Sequence, residues 1–133
     1  MNDFSNWLQH FAAAIGLQDT ANLHREKTLQ VHGVTCTFVA PPDDHQDHFV
    51  SLVDAGALSL PADNEIALLA LTRNFENFLL GAPMFLLNPD SRHLVMGQRF
   101  PMARFTPDSF APILEGLALQ ALAWQARGAS ACR

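Results

Sequence analysis

Apolar residues recur along this 133-residue chain with two periods, and the period changes from segment to segment. Near the start, Phe4, Trp7, Leu8, Phe11 and Ile15 fall at i, i+3, i+4, i+7 and i+11, which is one stripe of an amphipathic helix. With Asp3 as cap and Gly16 as stop, the spacing predicts a helix over residues 3–15. From residue 28 the period drops to two. Residues 28–40 read as two strands around His32-Gly33, where a glycine can take the positive φ of a tight turn. In the second of them Val34, Cys36 and Phe38 alternate with Thr35, Thr37 and Val39, the mark of a half-buried strand. A polar loop follows over 41–47, then a β-branched and aromatic strand over 49–53.

A second helix is predicted from Asp63, with Glu65 in its first turn. It carries Ile66, Leu69, Phe75, Phe78 and Leu79, but also Leu68 and Leu71, an apolar arc wider than one core contact needs. Gly81 closes it. Met84 to Leu87 and the run Leu94-Val95-Met96 then form a hairpin around Asn88-Pro89-Asp90-Ser91. Both strands are apolar on both faces, whereas a hairpin with one solvated face alternates apolar with polar, so a second face wants covering. Thr106, Pro107 and Asp108 supply cap, first-turn proline and first-turn acid to a third helix striped by Phe110, Ile113, Leu114, Leu117, Ala121 and Trp124. The order α-β-β-β-α-β-β-α predicts an α+β fold, a twisted antiparallel sheet with three helices beside it, in a single domain over 1–133.

Composition sharpens one point. Charged residues are 16% of the chain, against about 25% in an average domain, while 49% of residues are hydrophobic. A small domain so short of charge exposes apolar area or buries it against a second copy or a partner. The net charge of −5, with Lys27 the single lysine, provides no basic stripe for phosphates, which argues against a nucleic-acid partner. No run approaches the roughly 20 apolar residues of a membrane span, and no leader pattern opens the chain, so it is expected in the cytoplasm and off the membrane.

Candidate chemistry is sparse. Asp43-Asp44-His45-Gln46-Asp47-His48 is the densest polar tract, but it follows Pro41-Pro42, reads as a loop, and has no third ligand at a recognised metal spacing. Cys36 and Cys132 form neither a metal pattern nor a disulfide framework. The chain has no Gly-x-Ser-x-Gly, no Gly-x-Gly-x-x-Gly after a strand and no Walker lysine. The reading is therefore of a non-enzyme with no catalytic residues, no metal and no cofactor. A small enzyme or ligand carrier working around His45 and His48 is the minor alternative.

The stretch from Leu80-Gly81-Ala82-Pro83-Met84-Phe85-Leu86-Leu87-Asn88-Pro89 through Leu94-Val95-Met96, with Phe100-Pro101-Met102, Phe110 and Ala123-Trp124, resembles the class I type III secretion chaperones, the Tir-chaperone-like family. Ile15-Gly16-Leu17 and Leu60-Pro61 are similar to it as well. The resemblance implies an α+β homodimer in the bacterial cytoplasm that hydrolyses no ATP. Such a protein binds the N-terminal segment of a secreted effector in extended form, keeps it soluble and delivers it to the secretion apparatus. The wide arc of the second helix, Leu68, Leu69, Leu71, Phe75 and Phe78, is then the expected dimer interface, the alternative being that all five are intramolecular core. Effector binding is expected from the first helix and the apolar sheet face, through Phe4, Leu8, Phe11, Val39, Phe85 and Val95. A rival reading is an adaptor or immunity-type protein that binds a folded partner.

Overall fold

The computed structural model describes residues 3–17, 20–40 and 47–127. The helical stripe at the start forms α1 (Asp3–Ala14), with Gly16 just beyond it at φ 71°. A short helix that periodicity could not reveal, α2 (Ala21–Glu26), follows, and Leu23 on it is buried. Six residues are too few to display a 3.6-residue period. The hairpin β1 (Thr28–Val31) and β2 (Val34–Val39) turns at His32 and Gly33, with φ of 52° and 78°. Two consecutive positive φ values make the type I′ turn whose twist matches the flanking strands, so Val31 pairs Val34 and the register runs to Thr28 against Thr37.

Strand β3 (His48–Ala57) is longer than the expected 49–53. The reason is a bulge between Asp54 and Gly56, which lets a turn-like Asp-Ala-Gly-Ala run stay in the sheet. Asp54 Oδ1 accepts the Gly56 N–H at 2.9 Å across it. Helix α3 (Asn64–Leu80), strands β4 (Met84–Leu87) and β5 (His93–Pro101), and helix α4 (Pro107–Gln125) are the remaining elements among the described residues. Thr106 caps α4 as its sequence predicts, its hydroxyl accepting the Ser109 N–H at 3.2 Å. The five strands form one antiparallel sheet in the order β1-β2-β3-β5-β4.

Strand alternation divides the sheet into two unlike faces. Cys36, Phe38, Phe49, Val53, Phe85, Met96 and Phe100 point inward, where α1 and α4 cover them. At the centre, Trp7 stands 4.6 Å from Phe49 and Phe110 stands 4.9 Å from Phe100, ring centre to ring centre. Each such ring buried contributes roughly 1.5–3 kcal/mol, with edge-on pairs adding up to about 1 kcal/mol. The Trp7 indole N–H donates to the Phe105 carbonyl at 2.8 Å, tying α1 to the approach of α4. The opposite face, with Thr37, Val39, Val50, Leu52, Val95 and Leu86, has no such helical cover among the described residues.

Candidate functional site

Helix α3 carries large apolar side chains on its outer side. Asp63 precedes it as the cap residue, but its carboxylate reaches back to accept the Ser59 N–H at 2.7 Å. Ala70 is the one fully buried residue on the helix. Leu68, Leu71, Phe75 and Phe78, at i, i+3, i+7 and i+10, are 66% to 74% exposed and form one outward stripe. Asn74 and Asn77 instead face the body of the protein: Asn74 hydrogen-bonds the backbone of Phe85, and Asn77 donates to the Pro83 carbonyl at 2.7 Å. On β4, Leu86 and Leu87 are each 48% exposed as well. A stripe of large apolar side chains in water, on a chain this poor in charge, is the signature of a surface meant to be covered.

A second feature lies at the other end of the sheet. In a two-residue hairpin the pair flanking the turn exchanges hydrogen bonds, so Val31 bonds to Val34 and the next residue, Gln30, turns its N–H and C=O away from β2. The Phe38 N–H to Lys27 carbonyl bond, 2.7 Å, fits the same alternation. Beside this outward edge runs a groove of about 580 Å³ between β1, the end of α1 and the first turns of α4. Ile15, Leu17, Val31, Ala111 and Pro112 line it, with Phe11 and Leu29 among its walls. His32 and Glu115 meet at 2.9 Å across the same two elements, β-turn to α4.

The expected binding residues do not form one surface. Phe4, Leu8 and Phe11 are at most 2% exposed and belong to the inner aromatic core, and Phe85 is buried with its ring 4.4 Å from Trp124. Phe4, Leu8 and Phe11 are spent in packing α1 on the sheet, and Phe85 in packing β4 against Trp124 of α4, which leaves these four no outward face. Val39 is exposed and Val95 half-buried on the uncovered face, one strand order away from each other across β3. Of the six, Phe11 alone reaches the groove, as part of its wall. Of the five residues expected at a dimer contact, four form the α3 stripe, and Leu69 packs partly against the core. The reading in which all five are intramolecular core does not match this exposure. Ile15, Leu17, Val31 and the edge of β1 are what sequence reasoning passed over. Only the Ile15-Gly16-Leu17 end of the first helix hinted at them.

His45 and its neighbours at 41–46 lie outside the described residues, as does Cys132. His48 begins β3 with its Nδ1 at 3.1 Å from the Asp47 carboxylate. Among the described residues there is no group of three His, Cys, Asp or Glu side chains that could hold a metal, and no helix long and apolar enough to cross a membrane. Asp54 and His93 form a pair at 2.9 Å, which with the Gln125 Nε2 to Asp54 carbonyl bond of 2.8 Å fastens the β3 bulge to β5 and α4. Burial pushes the Cys36 thiol up to about 12, so it is a neutral core side chain.

Comparison with known proteins accords with this geometry. No curated protein sequence matches the chain. Solved structures share its fold over nearly their whole length. A chain of the ExsC–ExsE complex aligns with a TM-score of 0.69 at 18% identity, covering 94% of this chain and 95% of that one. The Yersinia pestis type III secretion chaperone SycH, in complex with a stable fragment of YscM2, gives 0.63 at 20% identity, covering 91% and 98%. The HopA1–SchA chaperone–effector complex gives 0.66 at 13% identity, covering 92% of both chains. At the level of sequence, residues 6–125 match the model of the Tir chaperone protein (CesT) family, and with that span matched the chain belongs to the CesT family.

Proposed function

We propose that this protein is a homodimeric chaperone of the bacterial cytoplasm that takes up the N-terminal segment of a type III secreted effector in extended form and holds it soluble and ready for secretion. It catalyses no reaction and uses no cofactor. Membership of the CesT family supports this reading, as do structural relatives solved as chaperone complexes. The observation that carries it is the edge of β1, which no second strand pairs among the described residues, beside an apolar groove. A segment without its own fold can pair its backbone with Gln30 and lay alternate side chains into the groove, the mode in which backbone bonds supply affinity and pockets supply choice. The exposed sheet face around Val39 and Val95 offers a further apolar contact for a segment that wraps on. Phe4, Leu8 and Phe85 then serve as the packed backing of those surfaces.

The α3 stripe is assigned to a second copy. Its four side chains repeat along one helix face, and two such stripes related by a twofold axis are complementary to each other, as an isologous contact requires. Size-exclusion chromatography with light scattering, on the chain alone and co-expressed with about 100 N-terminal residues of the neighbouring gene's product, tests both assignments. The expected result is a dimer of about 29 kDa, twice the 14.6 kDa chain, that captures the segment, with the Gln30 amide gaining protection from hydrogen exchange. A monomer that captures nothing overturns the proposal. Capture without protection of β1 moves the segment to another surface.

A further inference from the structure

Strand β4 ends the sheet on the side away from β1, and such an edge presents backbone N–H and C=O groups that invite another strand. Here α3 meets them. The Asn74 carboxamide donates from Nδ2 to the Phe85 carbonyl at 3.0 Å, and its Oδ1 accepts the Phe85 N–H at 2.7 Å. One turn later Asn77 donates from Nδ2 to the Pro83 carbonyl at 2.7 Å, two residues back along the same edge. The Gln98 Nε2 bonds the Gly81 carbonyl at 3.1 Å, holding the connection between helix and strand. A side-chain amide has a donor and an acceptor side by side, as a peptide group does. Asn74 therefore stands where a residue of a neighbouring strand would stand.

On this part of α3 ordinary amphipathicity is reversed, because Asn74 and Asn77 face the protein while Leu68, Leu71, Phe75 and Phe78 face water. Asparagine is also a poorer helix former than leucine, so two of them at inward positions need a purpose. We propose that Asn74, assisted by Asn77, is the positioning residue of the self-association surface. It fastens α3 along the β4 edge so that Leu68, Leu71, Phe75 and Phe78 stand outward as one rigid face. It also withholds that edge from strand pairing, so that two copies meet helix to helix and β1 is left as the strand-accepting edge. The inference rests on the homodimer reading above.

Asn74→Leu keeps the size of the side chain and removes both bonds, while Asn74→Asp keeps the acceptor for the Phe85 N–H and loses the donor. The measurements are the dimer dissociation constant by light scattering over a dilution series, amide hydrogen exchange at Phe85, and far-UV circular dichroism. Asn74→Leu is expected to retain the native spectrum, exchange the Phe85 amide at least tenfold faster and weaken the dimer at least tenfold. Asn74→Asp is expected to keep Phe85 slower than Asn74→Leu does and to fall between it and the unchanged protein in dimer affinity. A folded Asn74→Leu with affinity within twofold of the unchanged protein overturns the inference. Should Asn74→Leu not fold, Asn77→Ala decides: several-fold weaker association supports the latch, and unchanged association overturns it. An unchanged protein that is monomeric at every concentration sinks the homodimer reading by itself. The latch is then judged on Phe85 exchange, and exchange left unaltered by Asn74→Leu sinks it as well.

Discussion

Ser51 sits on the inner face of the sheet, 1% exposed, and its hydroxyl has no hydrogen-bond partner among the described residues. A buried hydroxyl left unpaired costs about 1–3 kcal/mol, so Ser51→Ala should raise stability by about 1 kcal/mol in urea denaturation. A loss of stability would mean that the hydroxyl has a partner. Phe110 stands within 6.1 Å of five aromatic rings at once, counted centre to centre, so Phe110→Ala should cost about 3–5 kcal/mol and bring a domain of ordinary stability near unfolding at room temperature. Cys36 behaves differently. Its folded pKa is raised from 9.0 to about 12 by burial, so the folded state holds a proton that the unfolded chain gives up. The stability linked to it is fully present below pH 9 and falls as pH rises toward 12. At pH 8 the thiol should resist a disulfide-exchange reagent until denaturant is added, and prompt reaction in the native state would contradict its burial.

At the scale of the element, α3 provides the sharpest contrast, because adjacent positions face opposite ways. Leu71 is exposed, so Leu71→Glu should leave the monomer fold within about 0.5 kcal/mol and convert a dimer to a folded monomer. Leu69 packs against the core, so Leu69→Glu should lower stability by roughly 2 kcal/mol whatever the oligomeric state. Circular dichroism with light scattering reads both; equal damage from the two would put Leu71 in the core. The width of the apolar arc was visible in the residues of this helix, but not which half of it would be spent at home. That half was decided by Asn74 and Asn77, whose role exists only because β4 lies alongside. Strand β3 shows the same limit: its alternation ends near Val53, and the bulge that carries it on to Ala57 depends on pairing with β5. Periodicity is silent where a neighbouring strand supplies the continuity.

For the whole molecule, an interface built on α3 links folding to association. The midpoint of thermal unfolding should then rise with protein concentration, and rise again when the extended partner segment is added. A midpoint that is independent of concentration would indicate that the copies do not associate before they unfold. Few charges and a surface rich in leucine and phenylalanine also mean that this association should depend weakly on salt.

What the chain determines by itself is local. The 3.6 and 2.0 periods, the Thr106-Pro107-Asp108 helix start and the glycine after His32 are written in neighbouring residues, and each needs only its own segment to act. The family was legible for the same reason, since its profile is one of apolar positions and turns. Only the tertiary structure decided which of the many apolar residues are spent. Phe4, Leu8 and Phe11 on α1 and Phe85 on β4, expected together at an effector-binding face, are core, while Ile15 and Val31, not singled out for binding, line the groove. The physical reason is that burial belongs to pairs of surfaces rather than to residues. Sequence spacing sets which side chains share a face, but the strand order β1-β2-β3-β5-β4 and the placement of α1 and α4 set which faces meet and which are left to a partner.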